Sequence, residues 1–350
     1  MIYTLTFHSV LNLGAALQTY ALQAYIKKKG LATEVLDYSP YYLVWRNCRP
    51  SKSLLRSIDK YKRYVQFSKF RNDYIDLSSR KIRNVSGLKF LTDSDVVVCG
   101  SDQIWNAKIT NGVPDDVFYL KGNLASTKVA YAASAGGHLI TEWHSEYQSA
   151  VSDFKHIGTR EESLALNVNS FVPDRRALQV VDPTLLIEDY DMLTAGFKAP
   201  EGEYIASYEV SDDSTRARYD QQIGRLKDKL KLPVYHLGAK KISSADYNLL
   251  NIGPCEWLSF IKNAKLVCTN SFHGTALSLN FSKPFVSFMH LDREKNVRVQ
   301  SLLSRIQLEN KFHRLQDDLS EEDLFQEYDR GPLNAFVKQS REFLDIAIGL

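Results

Sequence analysis

Residues 264–285, AKLVCTNSFHGTALSLNFSKPF, decide how this chain is read. Leu266-Val267-Cys268 is a short apolar run suited to a buried strand, and the small polar residues Thr269-Asn270-Ser271 follow it directly. Phe272-His273-Gly274 then opens a segment whose Ala276, Leu277, Leu279 and Phe281 suit a packed helix. A strand that stops where a helix starts leaves backbone N–H groups and the positive end of a helix dipole at its edge. That is an anion site, with Asn270 and Ser271 in position to touch the ligand. His273 in that turn either binds an anion and moves protons near neutral pH, or simply packs to close the turn.

The same strand-then-helix unit repeats outward from this point. Ile2–Phe7 reads as a strand, Ala15–Lys29 as a helix stopped at Gly30, and Thr33–Tyr38 as the next strand. Further strands fall at Val96–Cys99, Lys128–Ala132, His156–Gly158 and Leu178–Val181. Lys198-Ala199-Pro200-Glu201-Gly202 reads as a linker, after which Tyr204–Val210, Pro233–Gly238 and Val286–Met289 continue as strands, with helices at Ser214–Lys231 and Glu256–Ala264. The fold class expected is α/β, with parallel sheets covered by helices. The expected division is an N-terminal Rossmann-like domain over 1–198, a C-terminal one over 199–318, and a helical tail over 319–350 that packs back across the domains. A chain of 350 residues exceeds what one core usually fills, so about two domains are expected.

Composition excludes several function classes. At 44% hydrophobic and 24% charged residues the chain buries sizeable cores and is not disordered. A formal net charge of +3 does not make the whole molecule a polyanion binder, and no nucleic-acid partner is expected. The start MIYTLTFHSV lacks the apolar core of a signal peptide, and no run approaches the roughly 18 apolar residues of a spanning helix. Cys48, Cys99, Cys255 and Cys268 are scattered, with no CxxC pair, so they read as reduced cytosolic thiols with no metal site. Residues 46–83 hold twelve Lys/Arg against three Asp, interleaved with Leu54, Leu55, Tyr61, Tyr64, Val65 and Phe67. That segment is either a solvated helix face or a dock for an anionic membrane surface or lipid-linked acceptor, peripheral at the inner face of the membrane.

Candidate ligand residues cluster at the strand ends. After the first strand, Gly14 allows close backbone approach, while Asn12 and Gln18 either bond a ligand or, for Asn12, cap the helix. Gly100, Ser101, Asp102 and Gln103 follow a buried strand, with Trp105 read as packing. Ser134 ends another strand in YAASAGG. Ligands in open parallel sheets bind beyond the carboxyl ends of strands, so these turns mark a site without naming its chemistry. Arg160 ends the strand at His156 and either holds a carboxylate or phosphate or pairs with Glu161 or Asp182. Downstream of His273, Arg293, Lys295, Asn296 and Arg298 gather cations near the anion-binding turn, which suggests a ligand carrying two or three negative charges.

These motifs, in this order, resemble the polysaccharide pyruvyltransferase family: N-x-G-A-x-L-Q (12–18), V-V-C-G-S-D-Q-I-W-N (97–106), Y-A-A-S (131–134), T-R-E (159–161), D-P-T-L-L (182–186), E-W-L (256–258), T-N-S-F-H-G (269–274) and K-P-F (283–285). The correspondence runs from about residue 5 to 305. The resemblance implies two Rossmann-like domains in a GT-B-like arrangement with an interdomain cleft, faced by His273 and Arg160. It implies transfer of the pyruvyl carbons of phosphoenolpyruvate to two hydroxyls of one sugar as a cyclic ketal, with no metal or redox cofactor. In that frame Arg160, Lys295 and the amides of Ser271–His273 hold the donor, with Arg293 and Arg298 competing for the role of Lys295. His273 is then the general acid or the stabiliser of departing phosphate, and Asp102 a candidate base. Rival readings of the same residues are a glycosyltransferase using a nucleotide sugar and a non-catalytic sugar-binding protein.

Overall fold

The computed structural model describes residues 1–48, 54–122, 127–172, 174 and 177–350; of the basic residues counted above, Arg49 and Lys52 lie outside the described residues. The side chains of Arg46, Cys48 and Arg56 do so as well. The chain divides into two compact units: Met1–Pro50, Arg71–Ile187 and Leu333–Leu350 form the first, and Ser51–Phe70 with Glu188–Pro332 the second.

The first unit holds a seven-stranded sheet of β1 (Ile2–Leu5), β2 (Thr33–Tyr38), β3 (Leu77–Ile82), β4 (Val96–Cys99), β5 (Thr127–Ala133), β6 (His156–Thr159) and β7 (Leu178–Gln179). Their spatial order is β3-β2-β1-β4-β5-β6-β7, and every pairing is parallel. Strands such as VVVC and the VAYAA portion of β5 are buried on both faces, which is why they read as near-continuous apolar runs. Helix α1 (Leu13–Lys28) follows β1. Asn12 caps it by accepting from the Ala15 N–H at 3.0 Å, and Gly30, at φ 76°, supplies the left-handed residue that lets the chain turn off after Lys29.

Helix α2 (Leu54–Tyr74) carries most of the basic segment, and its residues up to Phe70 belong to the second unit. The physical reason is side-chain pairing: Asp59 accepts a 2.8 Å hydrogen bond from Asn251, and Gln66 lies against Gly253. Helix α3 (Glu162–Asn169) follows β6.

The second unit begins at Glu188, ahead of the Ala199–Gly202 stretch. Its sheet comprises β8 (Ile205–Tyr208), β9 (Val234–His236), β10 (Tyr247–Asn248), β11 (Leu266–Thr269), β12 (Phe285–Phe288) and β13 (Phe312–His313), in the order β10-β9-β8-β11-β12-β13, again all parallel. Helix α4 (Asp213–Leu230) is capped by Asp212, α5 (Pro254–Asn263) starts with proline at its first position, and α6 (Phe272–Asn280) is capped by Ser271. A β carbon at Gly274 would lie 2.5 Å from the Thr269 hydroxyl, so only glycine lets α6 start this close to β11. Helix α7 (Val297–Arg305) follows β12 through a 3₁₀ turn over Arg293–Asn296.

The tail expected over 319–350 is split. A short helix at Glu321–Phe325 stays with the second unit, while the last helix, α8 (Gly331–Ala347), belongs to the first from Leu333 onward. It is tied there by Ser340, which receives the Val181 N–H at 2.9 Å, and by Asp345, which accepts from Tyr25 at 2.8 Å and Lys29 at 2.6 Å. Sequence patterning did not supply β3, β10 or β13: LSSRKI is largely exposed, and the other two are only two residues long. No described helix is long and apolar enough to cross a membrane.

Candidate functional site

The carboxyl edge of the second sheet carries the turn over residues 269–274. Ser271, 8% exposed, caps α6 by accepting from the Gly274 N–H at 3.4 Å, and its own N–H donates to the Thr269 hydroxyl at 3.0 Å. His273 lies in the first helical turn, 6% exposed, edge-on to the Phe272 ring. Asn270 is buried and braced: its side chain accepts from the Val210 N–H at 2.8 Å and donates to Ser211 at 2.6 Å. The helix start is therefore braced by its own hydrogen bonds, with an imidazole in its first turn.

Three of the expected cations reach this unit's edge differently. Arg298 sits with its guanidinium 6.0 Å from the Phe272 ring centre, at the start of α6. Lys295 is half-exposed and stands 3.6 Å from Asp212 and 3.9 Å from Asp292. The Asp212 carboxyl is held well below the usual range, first by the Thr215 backbone N–H and then by Ser214 and Thr215 hydroxyls, with Lys295 adding a smaller pull. Arg293 is exposed and, with Met289, Asn296 and Phe312, lines an open cavity of about 380 Å³. Arg298 thus lies at the capped turn, while Lys295 pairs with Asp212 and Asp292.

Sequence reasoning missed His290, two residues beyond β12. Its Nε2 donates to the Asn270 carbonyl at 3.1 Å, since a carbonyl can only accept. Burial, then the charge of Lys295, pushes its pKa down to about 4, so the ring is neutral near pH 7. The available signal was a histidine closing the run VSFM, the same pattern that drew attention to the edge elsewhere. Glu209, 4% exposed at the end of β8, was missed too; Arg216 Nε meets it at 2.7 Å.

The carboxyl edge of the first sheet is a buried polar network. Arg160 is 2% exposed; its Nη2 donates to Asp182 Oδ2 at 2.6 Å and to Ser101 Oγ at 2.5 Å, and its Nη1 lies 3.7 Å from Asp102. Of the two roles open to Arg160, the ion pair with Asp182 is present. Asp102 holds φ 78°, receives the Gln103 N–H at 2.8 Å and gives its carbonyl to the Ser134 N–H at 3.0 Å. Ser134 donates to Glu161 and accepts from the Gly136 N–H at 3.2 Å. Gln18 is turned inward, fully buried, with its amide nitrogen bound to Thr6, Thr19 and the Ala15 carbonyl. Asn12 is exposed and occupied as a cap, and Gly14 is buried inside α1. Trp105 is fully buried and donates to the Phe118 carbonyl at 3.2 Å, a packing residue as expected. Cys99, Cys255 and Cys268 are buried and in no disulfide, and no group of His, Cys, Asp and Glu that could hold a metal is found among the described residues.

The two all-parallel sheets with their helices define an α/β protein whose strand ends carry the polar residues described above. The sequence profile of the polysaccharide pyruvyl transferases matches residues 12–292, and the chain belongs to that family, and so to the transferases. No curated relative matches it. Among solved structures, the MnaA–UDP co-structure from S. aureus is 11% identical, with 93% of this chain and 86% of that one covered at a TM-score of 0.50, a likeness of fold. The heptosyltransferase WaaC of E. coli with ADP aligns over 99% and 100% of the two chains at 8% identity and a TM-score of 0.42. A putative UDP-N-acetylglucosamine 2-epimerase from Listeria monocytogenes aligns over 98% and 89% at 8% identity and 0.49.

Proposed function

We propose that this transferase moves the pyruvyl carbons of phosphoenolpyruvate onto two hydroxyls of one sugar, forming a cyclic ketal and releasing phosphate. What carries the reading, beyond family membership, is the start of α6: a capped helix N-terminus with His273 in its first turn and Arg298 beside it. Phosphoenolpyruvate bears a carboxylate and a phosphate, so its site needs N–H donors and cations rather than acceptors. Protonation of its methylene carbon leaves the neighbouring carbon electron-poor and open to a hydroxyl oxygen. His273 is the group to deliver that proton or to stabilise the phosphate as it leaves. Arg160 and Asp102 keep the first unit's strand-end turns in place, with Ser134 beside them.

The acceptor is a free or lipid-linked sugar of a polysaccharide pathway. Ile58, Tyr61 and Val65 are exposed at helical spacing along α2, next to exposed Lys62 and Lys69. That combination of apolar stripe and positive charge suits an anionic membrane surface at which a lipid-linked acceptor is presented. The test is phosphate release on mixing the protein with phosphoenolpyruvate and a panel of galactosides, N-acetylhexosamines and lipid-linked oligosaccharides. Transfer from a nucleotide sugar with no response to phosphoenolpyruvate would overturn the reading.

A further inference from the structure

We infer that His290 is a further binding residue of the second unit's anion site: as an anion docks, Nδ1 of its ring takes up a proton and donates a hydrogen bond to it. Naming that anion as phosphoenolpyruvate rests on the function proposed above. His290 lies beyond β12, and Asn270 follows the neighbouring strand β11 and leads into the cap of α6. The His290 ring hangs on the Asn270 carbonyl through Nε2 at 3.1 Å. Asn296 clamps its main chain, accepting from the His290 N–H at 2.8 Å and donating to the His290 carbonyl at 3.0 Å. Asn270 is itself fixed to the end of β8 by Val210 and Ser211, so the ring is braced beside the turn.

A carbonyl only accepts, so the hydrogen on Nε2 is committed whatever the charge of the ring. Nδ1 alone is left to change. It is buried and has no hydrogen-bond partner among the described residues, in a side chain that belongs to a residue 8% exposed. A tie between β11 and β12 would be complete with Nε2. A polar ring atom buried without a partner is unfavourable until a ligand meets it.

The groups that bear on the ring are Lys295 from the 3₁₀ turn, Arg298 from α7, Asp212 from the cap of α4 and the Asn270 carbonyl. Burial, Lys295 and Arg298 disfavour the imidazolium, while Asp212 and the carbonyl favour it; the balance leaves the free ring neutral near pH 7. Arg298 also stands 6.0 Å from the Phe272 ring centre, so one cation acts on both the helix start and the imidazole. An anion held at that helix start would offset the two cations and bring a negative charge to the ring. Both changes favour the imidazolium. The proton comes from water, Nδ1 gains the N–H bond, and no bond in the anion breaks. A neutral hydroxyl would instead donate to a bare Nδ1, but two cations and a helix N-terminus favour the anion.

The experiment uses the full chain with sulfate, which stays a dianion across the range, because a phosphate ester itself titrates near pH 6. The anion-bound state holds more protons, so sulfate affinity should rise as pH falls from about 7.5 to 5. That rise should be about tenfold smaller in His290→Gln, which keeps a donor for the Asn270 carbonyl but takes no proton. His273 titrates in both proteins and cancels from the comparison. Nitrogen-15 NMR of the wild type near pH 6 is expected to show His290 bare on Nδ1 when free, and protonated on both nitrogens with saturating sulfate or phosphoenolpyruvate. The NMR decides alone should His290→Gln not fold. A bare Nδ1 in the anion-saturated protein, an Nδ1 that responds only to added sugar, or an equal rise in His290→Gln overturns the proposal. If neither anion binds, the site and the proposed function fall together. If the anions protonate His290 but no phosphate is released from phosphoenolpyruvate with any sugar, the proposed function falls and the anion site stands.

Discussion

Replacing Arg160 with methionine tests the role of the first unit's edge most directly. The guanidinium is 2% and Asp182 1% exposed, and the pair meets at 2.6 Å with Ser101 shared between them. Methionine keeps much of the volume, so the main effect is a buried carboxylate stripped of its counter-charge. Breaking a buried pair from one side costs about 3–5 kcal/mol. Asp182 would retain hydrogen bonds from Ser101 at 2.9 Å, the Thr184 N–H at 3.0 Å and the Thr184 hydroxyl at 2.6 Å, so the lower end of that range is expected. Asp182→Asn in the same background removes the stranded charge, and a double-mutant cycle should return a coupling of about 1–3 kcal/mol. Urea unfolding followed by fluorescence and circular dichroism gives the three stabilities. A loss below about 1 kcal/mol for Arg160→Met, together with a large fall in phosphoenolpyruvate affinity, would contradict the structural role and return Arg160 to the direct anion-holding one that the motif order suggested.

Other expectations concern the second unit and α2. His273→Gln should abolish phosphate release while the thermal melt stays near that of the wild type, since the turn tolerates a polar side chain; full activity would remove His273 from the chemistry. Reversing Lys60, Lys62 and Lys69 to glutamate should weaken association with vesicles containing anionic lipid at low salt, and should matter less as ionic strength rises; unchanged association would leave α2 a solvated face. His236 and His290 are both pushed down to about 4, chiefly by burial. With folded values below the unfolded one, their contribution to stability is complete above about pH 6.5 and is lost as pH falls toward about 4, on the order of 2–3 kcal/mol each. Stability measured between about pH 7 and 4.5 should therefore fall less steeply in His236→Gln and His290→Gln; parallel slopes would show that neither ring is held neutral.

Whatever depends on neighbours along the chain could be read from the sequence. Alternating apolar runs and helical segments defined two α/β series, and β2 and β4 fall on the residues read as strands. The cap at Asn12 and the stop at Gly30 follow from local backbone hydrogen bonding, so they too were legible in advance, whereas Ser271, read as touching a ligand, turned out to cap α6. The helix start at His273 was legible as well, because a strand end and a helix start are both short-range signals. Tertiary structure decided which polar residues meet. Arg160 had Glu161 and Asp182 as candidate partners, and the order of β4, β5 and β6 brought it to Asp182, Ser101 and Asp102. His8 and Asp37 are far apart in sequence and adjacent only because β1 and β2 pair in parallel. The basic helix α2 and the final helix α8 each joined the unit that the chain order did not suggest, since long-range hydrogen bonds at Asn251, Ser340 and Asp345 outweigh position in the sequence. Periodicity fixes which face of an element is buried, whereas the partner that covers it is chosen by sheet order and shape, and neither is written in any local window.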